Sequence, residues 1–88
     1  MKPSIRPTET YTEPNFLRLH TAARPGVADR LVTIEHLSYS AESGAGPTGW
    51  RCQTIVDGEA MSKEDALFIA SRYAEEFGVP VIYECHSD

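Results

Sequence analysis

The clearest pattern of apolar and polar positions lies in residues 61–79 and predicts an amphipathic helix. Side chains along a helix are set about 100° apart, and on that spacing one face collects apolar residues. These residues are Ala66, Ile69, Ala70, Tyr73, Ala74 and Phe77. Ser62 is a favourable N-cap, and Gly78 followed by Pro80 suits a helix end. We therefore predict a helix over 63–77 whose alanine and aromatic side packs on a sheet.

The outer side of this helix carries one apolar residue that the core does not require. Phe68 falls among polar residues, one turn before Arg72. The simpler interpretation is an exposed side chain, or one that the N-terminal segment covers, because single apolar residues are common on protein surfaces. The alternative is a surface that binds a partner. Phe68 and Arg72 are therefore candidate interaction residues.

Three further stretches have the β-branched and aromatic composition of strands. They are 30–40, 50–57 and 81–85, so the elements follow one another as ββαβ. The first stretch is apolar on both of its alternating sides, which is typical of a central strand. We therefore expect a small α+β domain with a three-stranded sheet in the order 2-1-3 and the main helix packed on one face. Ile55 is the one residue that breaks the alternation of the second strand.

Residues 1–28 differ from the rest of the chain in composition. The first 15 residues hold three prolines and few apolar side chains, which is typical of a segment that cannot bury enough surface to offset its ordering entropy. We expect residues 1–28 to be largely flexible and to lie outside a folded domain at 29–88. Within the segment, the apolar residues of 15–24 fit either a short helix or a short strand. Either form could cover Phe68 or an exposed face of the sheet.

Length and charge narrow the classes of function. A chain of 88 residues makes one domain with a small core and buries about 60–65% of its unfolded surface. Burial against a second subunit would therefore add stability. The net charge is −5, and residues 31–88 hold three basic residues against ten acidic ones. Because so acidic a body repels nucleic acid, we expect no such partner unless the basic segment 1–28 binds it alone.

The same composition indicates a cellular location. No stretch approaches the about 20 apolar residues of a membrane span, and no signal-peptide pattern follows Met1. We therefore expect a cytoplasmic protein with no membrane partner. Cys52 and Cys85 lie 33 residues apart, which is neither a disulfide framework nor a zinc pattern. Reduced thiols are the expected state.

Motifs for catalysis or cofactor binding are weak. Residues 44–49 match the glycine fingerprint of dinucleotide-binding proteins letter by letter, but a strand follows them where the fingerprint needs a helix. The histidines and cysteines lack the spacing of a metal site. Cys52 and His36 could lie on neighbouring strands, and Glu35 and Glu84 could pair, but packing and solvated surface explain these residues more simply. We predict no catalytic residue, no cofactor and no metal.

These observations favour a non-catalytic interaction or accessory module. We expect it to act as a homodimer through an open sheet edge and the Phe68 side of the helix. The alternative is a small-ligand-binding or enzymatic domain with a pocket near His36, Tyr39 and Trp50. The candidate interaction residues are Phe68, Arg72, Trp50, Tyr39 and His36. The order ββαβ resembles many small bacterial units, which is an analogy of fold that implies no function.

Overall fold

The computed structural model describes residues 3–7, 14–39 and 50–87. They form one sheet of five strands in the order β1-β5-β2-β3-β4, with a helix packed on one face. In chain order the elements are β1 (Ser4–Pro7), β2 (Asn15–Arg24), β3 (Val27–Tyr39), β4 (Trp50–Met61), α1 (Lys63–Phe77) and β5 (Val81–Ser87). The expected α+β class is confirmed, but the sheet has five strands where three were expected.

The predicted helix over 63–77 is confirmed, and so are the signals at its two ends. The Ser62 side chain accepts a hydrogen bond of 3.1 Å from the Asp65 backbone N–H. Gly78 closes the helix with a φ of 67°, which glycine adopts without a steric penalty. Ala66, Ala70 and Ala74 are fully buried against the sheet, because their small side chains let the helix approach closely. Phe77, expected on the buried face, is instead exposed.

The segment 15–24 is a central strand of the sheet rather than a short helix. As β2 it pairs antiparallel with β3 on one side and parallel with β5 on the other. Leu17 and Leu19 are buried beneath α1, and Phe16 is buried on the opposite face. The three predicted strands keep the expected relative order 2-1-3, but β2 lies between β3 and β5, so the expected direct pairing of the first and third predicted strands is wrong. The first predicted strand also pairs with β2 in place of the third one.

A second strand from the N-terminal segment lies at one edge of the sheet. β1 pairs parallel with β5, and the Ser4 N–H donates to the Pro80 carbonyl at 2.9 Å. Proline is tolerated here because an edge strand does not need every N–H for its ladder. The sheet thus crosses the expected boundary at residue 28. Composition did not reveal β1, since four residues paired through their backbone need few apolar side chains.

The sheet has a large core under α1 and a small one on its other face. The buried residues of the large core are Leu17, Leu19, Val32, Ile34, Val56, Ala66, Ala70, Ala74, Val79 and Ile82. On the open face, which is the face away from α1, Phe16 and Tyr83 meet edge to face with ring centres 5.1 Å apart. Val81 completes this smaller cluster, with Leu37 packed against it. Each face of β2 and β5 therefore carries buried residues.

The outermost strand, β4, is longer than predicted and contains a β-bulge around Gly58. Val32 pairs with Glu59 and Ile34 pairs with Val56. Over this interval β3 advances two residues and β4 advances three, so β4 holds one extra residue. Gly58 has a φ of 61°, a conformation that glycine supplies readily. The sequence around Gly58 resembles a turn, but the chain continues through it as a strand to Met61.

A second bulge in β4 accounts for the break in its alternation. Ile34 pairs with Val56 and the next residue, Glu35, pairs with Thr54. Ile55 is therefore the extra residue, and a bulge of this kind can turn two successive side chains toward one face. Ile55 and Val56 both pack against the core under α1. The residue that departed from the alternation is thus the position where the strand bends.

Candidate functional site

His36, one of the predicted interaction residues, lies on the helix side of the sheet and forms hydrogen bonds through both of its ring nitrogens. Its Nε2 lies 2.6 Å from Asn15 Oδ1, and its Nδ1 lies 2.9 Å from the Tyr73 hydroxyl. Since Asn15 Oδ1 can only accept, Nε2 carries the proton and Nδ1 accepts from Tyr73. Burial lowers the pKa of His36, which favours this neutral form. His36 thus joins β2, β3 and α1.

Tyr39 and Trp50 are partners across the β3–β4 ladder. Tyr39 is exposed, and strand alternation puts it on the open face, opposite to His36. The structure therefore does not bring His36 and Tyr39 into one pocket. The side chain of Trp50 and the glycine-rich residues 44–49 lie outside the described part of the structure.

Phe68 and Arg72 are on the outer surface of α1, as the helical wheel indicated. Phe68 is 64% exposed, and the Arg72 guanidinium lies 5.8 Å from its ring centre. The strands β1 and β2 of the N-terminal segment lie within the sheet and leave Phe68 uncovered. Phe77, at the end of the helix, is also exposed and contacts the Tyr73 ring with centres 4.5 Å apart. Two aromatic rings of the helix thus face outward.

The open face contains a shallow cavity of about 380 Å³. Its lining residues are Arg18, His20, Thr33, Glu35 and Cys85. His20 and Cys85 are direct partners in the β2–β5 ladder, which places them side by side. Sequence reasoning missed the cavity because Arg18 and His20 were assigned to a flexible segment. The alternation of Phe16, Arg18 and His20 with the buried leucines was the available signal.

Charge within this cavity is largely neutralised by one ion pair. Both Nε and Nη2 of Arg18 donate to Glu35 Oε1, at 3.0 and 2.6 Å. The hydrogen bond from Arg18 holds the pKa of Glu35 below its usual value. Cys52 donates its thiol hydrogen to the other carboxylate oxygen at 3.4 Å, and burial together with Glu35 raises the pKa of that thiol. Cys52 is therefore a protonated and weakly nucleophilic thiol at neutral pH.

A second polar network lies on the helix side of the sheet and links β2, β3 and β5. Arg30 Nε donates to Thr21 Oγ1 at 2.8 Å, so the Thr21 hydroxyl can donate to His86 Nδ1 at 2.7 Å. His86 Nε2 in turn lies 3.4 Å from Glu84 Oε1. A hydroxyl, an imidazole and a carboxylate in this order can activate a nucleophile. Thr21 is fully buried, however, so its hydroxyl is out of reach of a substrate and the network is structural.

The described residues contain no group of three or more histidine, cysteine, aspartate or glutamate side chains that could hold a metal ion. Within the same ranges, no helix has both the length and the apolar character needed to cross a membrane.

The outer edge of β4 is the largest unpaired backbone edge in the described residues. β4 ends the sheet, and the side chains of Arg51, Cys52, Gln53 and Thr54 are all exposed. An edge strand presents unpaired N–H and C=O groups that another chain can pair with. Residues 50–54 keep a regular register with β3, whereas the two bulges interrupt the rest of the strand.

Comparison of the chain with known protein families, with curated proteins and with solved structures found no match.

Proposed function

We propose that the chain is a non-catalytic protein–protein interaction module that acts as a homodimer. The observation that carries this proposal is the outer edge of β4, where residues 50–54 keep a regular register with β3, residues 51–54 are exposed, and the outer backbone edge is unpaired within the described structure. β-Strand addition to such an edge is a common way for proteins to associate. A two-fold axis at the edge lets one surface serve both copies.

The small core supports the same proposal. A domain of this length has a modest stability margin, and an added strand ladder would satisfy backbone groups that are otherwise exposed. Two of the polar groups that a catalytic function could use are already hydrogen-bonded within the fold. His36 is held by Asn15 and Tyr73, and Glu35 is held by Arg18. These contacts favour a binding function over a catalytic one.

Sedimentation equilibrium over a wide range of concentrations tests the proposal. We expect a reversible monomer–dimer equilibrium. Phe68→Ala serves as a matched variant, because Phe68 is exposed on the outer surface of α1 rather than on the edge of β4. If the dimer forms through the sheet edge, Phe68→Ala leaves the dissociation constant unchanged; if it forms through the helix, the variant weakens it. A strictly monomeric protein at the highest attainable concentration would refute the homodimer.

A second candidate function, binding of a small ligand, is favoured by the cavity on the open face. The cavity offers an imidazole from His20 and a thiol from Cys85 beside the Arg18–Glu35 pair. A ligand that binds only the folded protein raises its melting temperature. Melting the protein against a panel of metabolites tests this function, with His20→Ala as the variant that should lose any shift. A panel without effect on the wild-type protein would leave the cavity without a function.

A further inference from the structure

We infer that the homodimer forms when β4 pairs antiparallel with the β4 of a second copy, about a two-fold axis that passes through Cys52. This inference rests on the proposed homodimer and specifies its register. The second copy of the chain is the partner that pairs with the β4 edge.

The two bulges confine the pairing to residues 50–54. A partner strand needs a run of evenly spaced backbone groups, and a bulge breaks that spacing and bends the strand. The bulges at Ile55 and Gly58 therefore block a register that would run along the whole of β4. The stretch before Ile55 is the longest part of this edge that remains regular.

A two-fold axis that pairs this stretch with its own copy can pass through Arg51, Cys52 or Gln53. With a two-fold axis perpendicular to the sheet, one residue lies opposite its own copy. Both faces of the sheet then continue across the seam, which is the contact between residues 50–54 of the two copies. An axis through Arg51 places two guanidinium groups directly opposite each other, which is destabilising. An axis through Gln53 places Arg51 opposite Ile55, where the bulge begins. Only the axis through Cys52 uses all of residues 50–54.

The Cys52 register also gives compatible side-chain pairs. Arg51 lies opposite Gln53 of the second copy, and the guanidinium can donate to the amide oxygen. Trp50 lies opposite Thr54, which completes the five-residue ladder. The two sheets join into one continuous sheet with both helices on the same face.

This register makes a measurable prediction about the two cysteines. Residues directly opposite in an antiparallel pair have Cα atoms about 4.5–5.5 Å apart, which lies within the range for a disulfide. The two Cys52 thiols therefore fall within bonding reach. Cys85 is on β5, so its two copies are separated by seven strand spacings, or about 34 Å. Oxidation of the dimer should join Cys52 to Cys52 and leave Cys85 unlinked.

The experiment compares Cys85→Ser with Cys52→Ser during treatment with diamide. Two thiols give up two hydrogens to diamide and form one disulfide. The reaction is run above neutral pH, because the raised pKa of Cys52 keeps it protonated at lower pH. We expect Cys85→Ser to give a disulfide-linked dimer at a rate that does not depend on concentration once the dimer is formed. Cys52→Ser should link only through collisions, with a rate proportional to concentration.

A second cysteine pair keeps the test independent of the Cys52 thiol. In a background with both native cysteines changed to serine, Arg51→Cys and Gln53→Cys are made separately and mixed. The register places these two positions opposite each other, so the mixed disulfide should form faster than either homodimeric one. Two copies of Arg51→Cys are diagonal neighbours about 7–8 Å apart, which is beyond the usual Cα separation of an unstrained disulfide.

The outcomes separate the register from the homodimer itself. A dimer in sedimentation whose Cys85→Ser variant links no faster than random collision overturns the register and leaves the homodimer standing. Equal rates for mixed and homodimeric disulfides in the second experiment overturn it as well. A monomer in sedimentation refutes the homodimer and the register together.

Discussion

The two edges of the sheet differ in how open they are to another strand. β1 has four residues, follows Pro3 and ends at Pro7, so its edge is short and lacks the N–H groups that prolines remove. β4 has twelve residues, of which 50–54 keep a regular register with β3 and 51–54 are exposed. The short length of β1 and its prolines limit pairing along the whole of that edge, whereas the bulges of β4 limit pairing along only part of the other edge.

The largest effect should come from a like charge placed on the proposed axis. Cys52→Lys sets two ammonium groups opposite each other, and like charges directly opposite destabilise a strand pair. We expect the dissociation constant of the dimer to rise at least about tenfold, or about 1.4 kcal/mol, in sedimentation equilibrium. Glu59→Lys is the matched control, since Glu59 is exposed on β4 beyond both bulges. Equal effects of the two variants would contradict the seam at 50–54.

The next largest effect should be on the free energy of unfolding, when the hydrogen bonds of Thr21 in β2 are removed. Thr21→Val removes the hydroxyl that links Arg30 to His86, so each of these half-buried side chains loses one hydrogen bond. We expect the free energy of unfolding, measured with urea, to fall by about 0.5–1.5 kcal/mol. Thr21→Ser keeps the hydroxyl and should lose less. The same loss should appear in monomeric Cys52→Lys, because the network is independent of the seam; a loss confined to the dimer would contradict that separation.

A smaller effect should follow the titration of His36. Its folded pKa is lowered by burial, so the unfolded chain binds the proton more readily. Stability from this group is fully present above the unfolded pKa and is lost as the pH falls from there through the folded pKa. Urea unfolding measured across this window should show the decline, and His36→Gln should make it shallower. An unchanged slope in His36→Gln would show that His36 does not contribute to it.

The smallest effect should occur at the β1 edge. Ile5→Lys adds a charge to an exposed side chain of β1, where we propose no second copy. The dissociation constant of the dimer should stay unchanged in sedimentation. A weakening as large as that of Cys52→Lys would move the interface to β1 and reverse the comparison between the two edges.

Local signals predicted the helix and three of the strands, because caps and apolar spacing act over a few residues. The Ser62 cap and the Gly78 end are contacts within one turn, so the sequence locates them well. The strand 15–24 was harder to assign, because Phe16 and Leu17 are buried on opposite faces and blur the alternation. β1 depends almost wholly on backbone pairing with β5, which no local pattern reveals.

The candidate sites depend on contacts between elements that are distant in sequence. His36 was identified as a candidate residue, but its partners Asn15 and Tyr73 come from β2 and α1. The Arg18–Glu35 pair needs the register of β2 against β3. The seam at β4 could not be predicted without the order of the strands, because that order decides which strand lies at the edge of the sheet.

Amide hydrogen exchange of the wild-type protein at several concentrations tests the central comparison most directly. As the concentration rises through the dissociation constant of the dimer, pairing through β4 should slow exchange in peptides that cover 50–54. Exchange in peptides that cover 4–7 should stay constant. Exchange at 50–54 that stays the same while the dimer forms, or slowing that appears at 4–7 instead, would contradict the β4 seam.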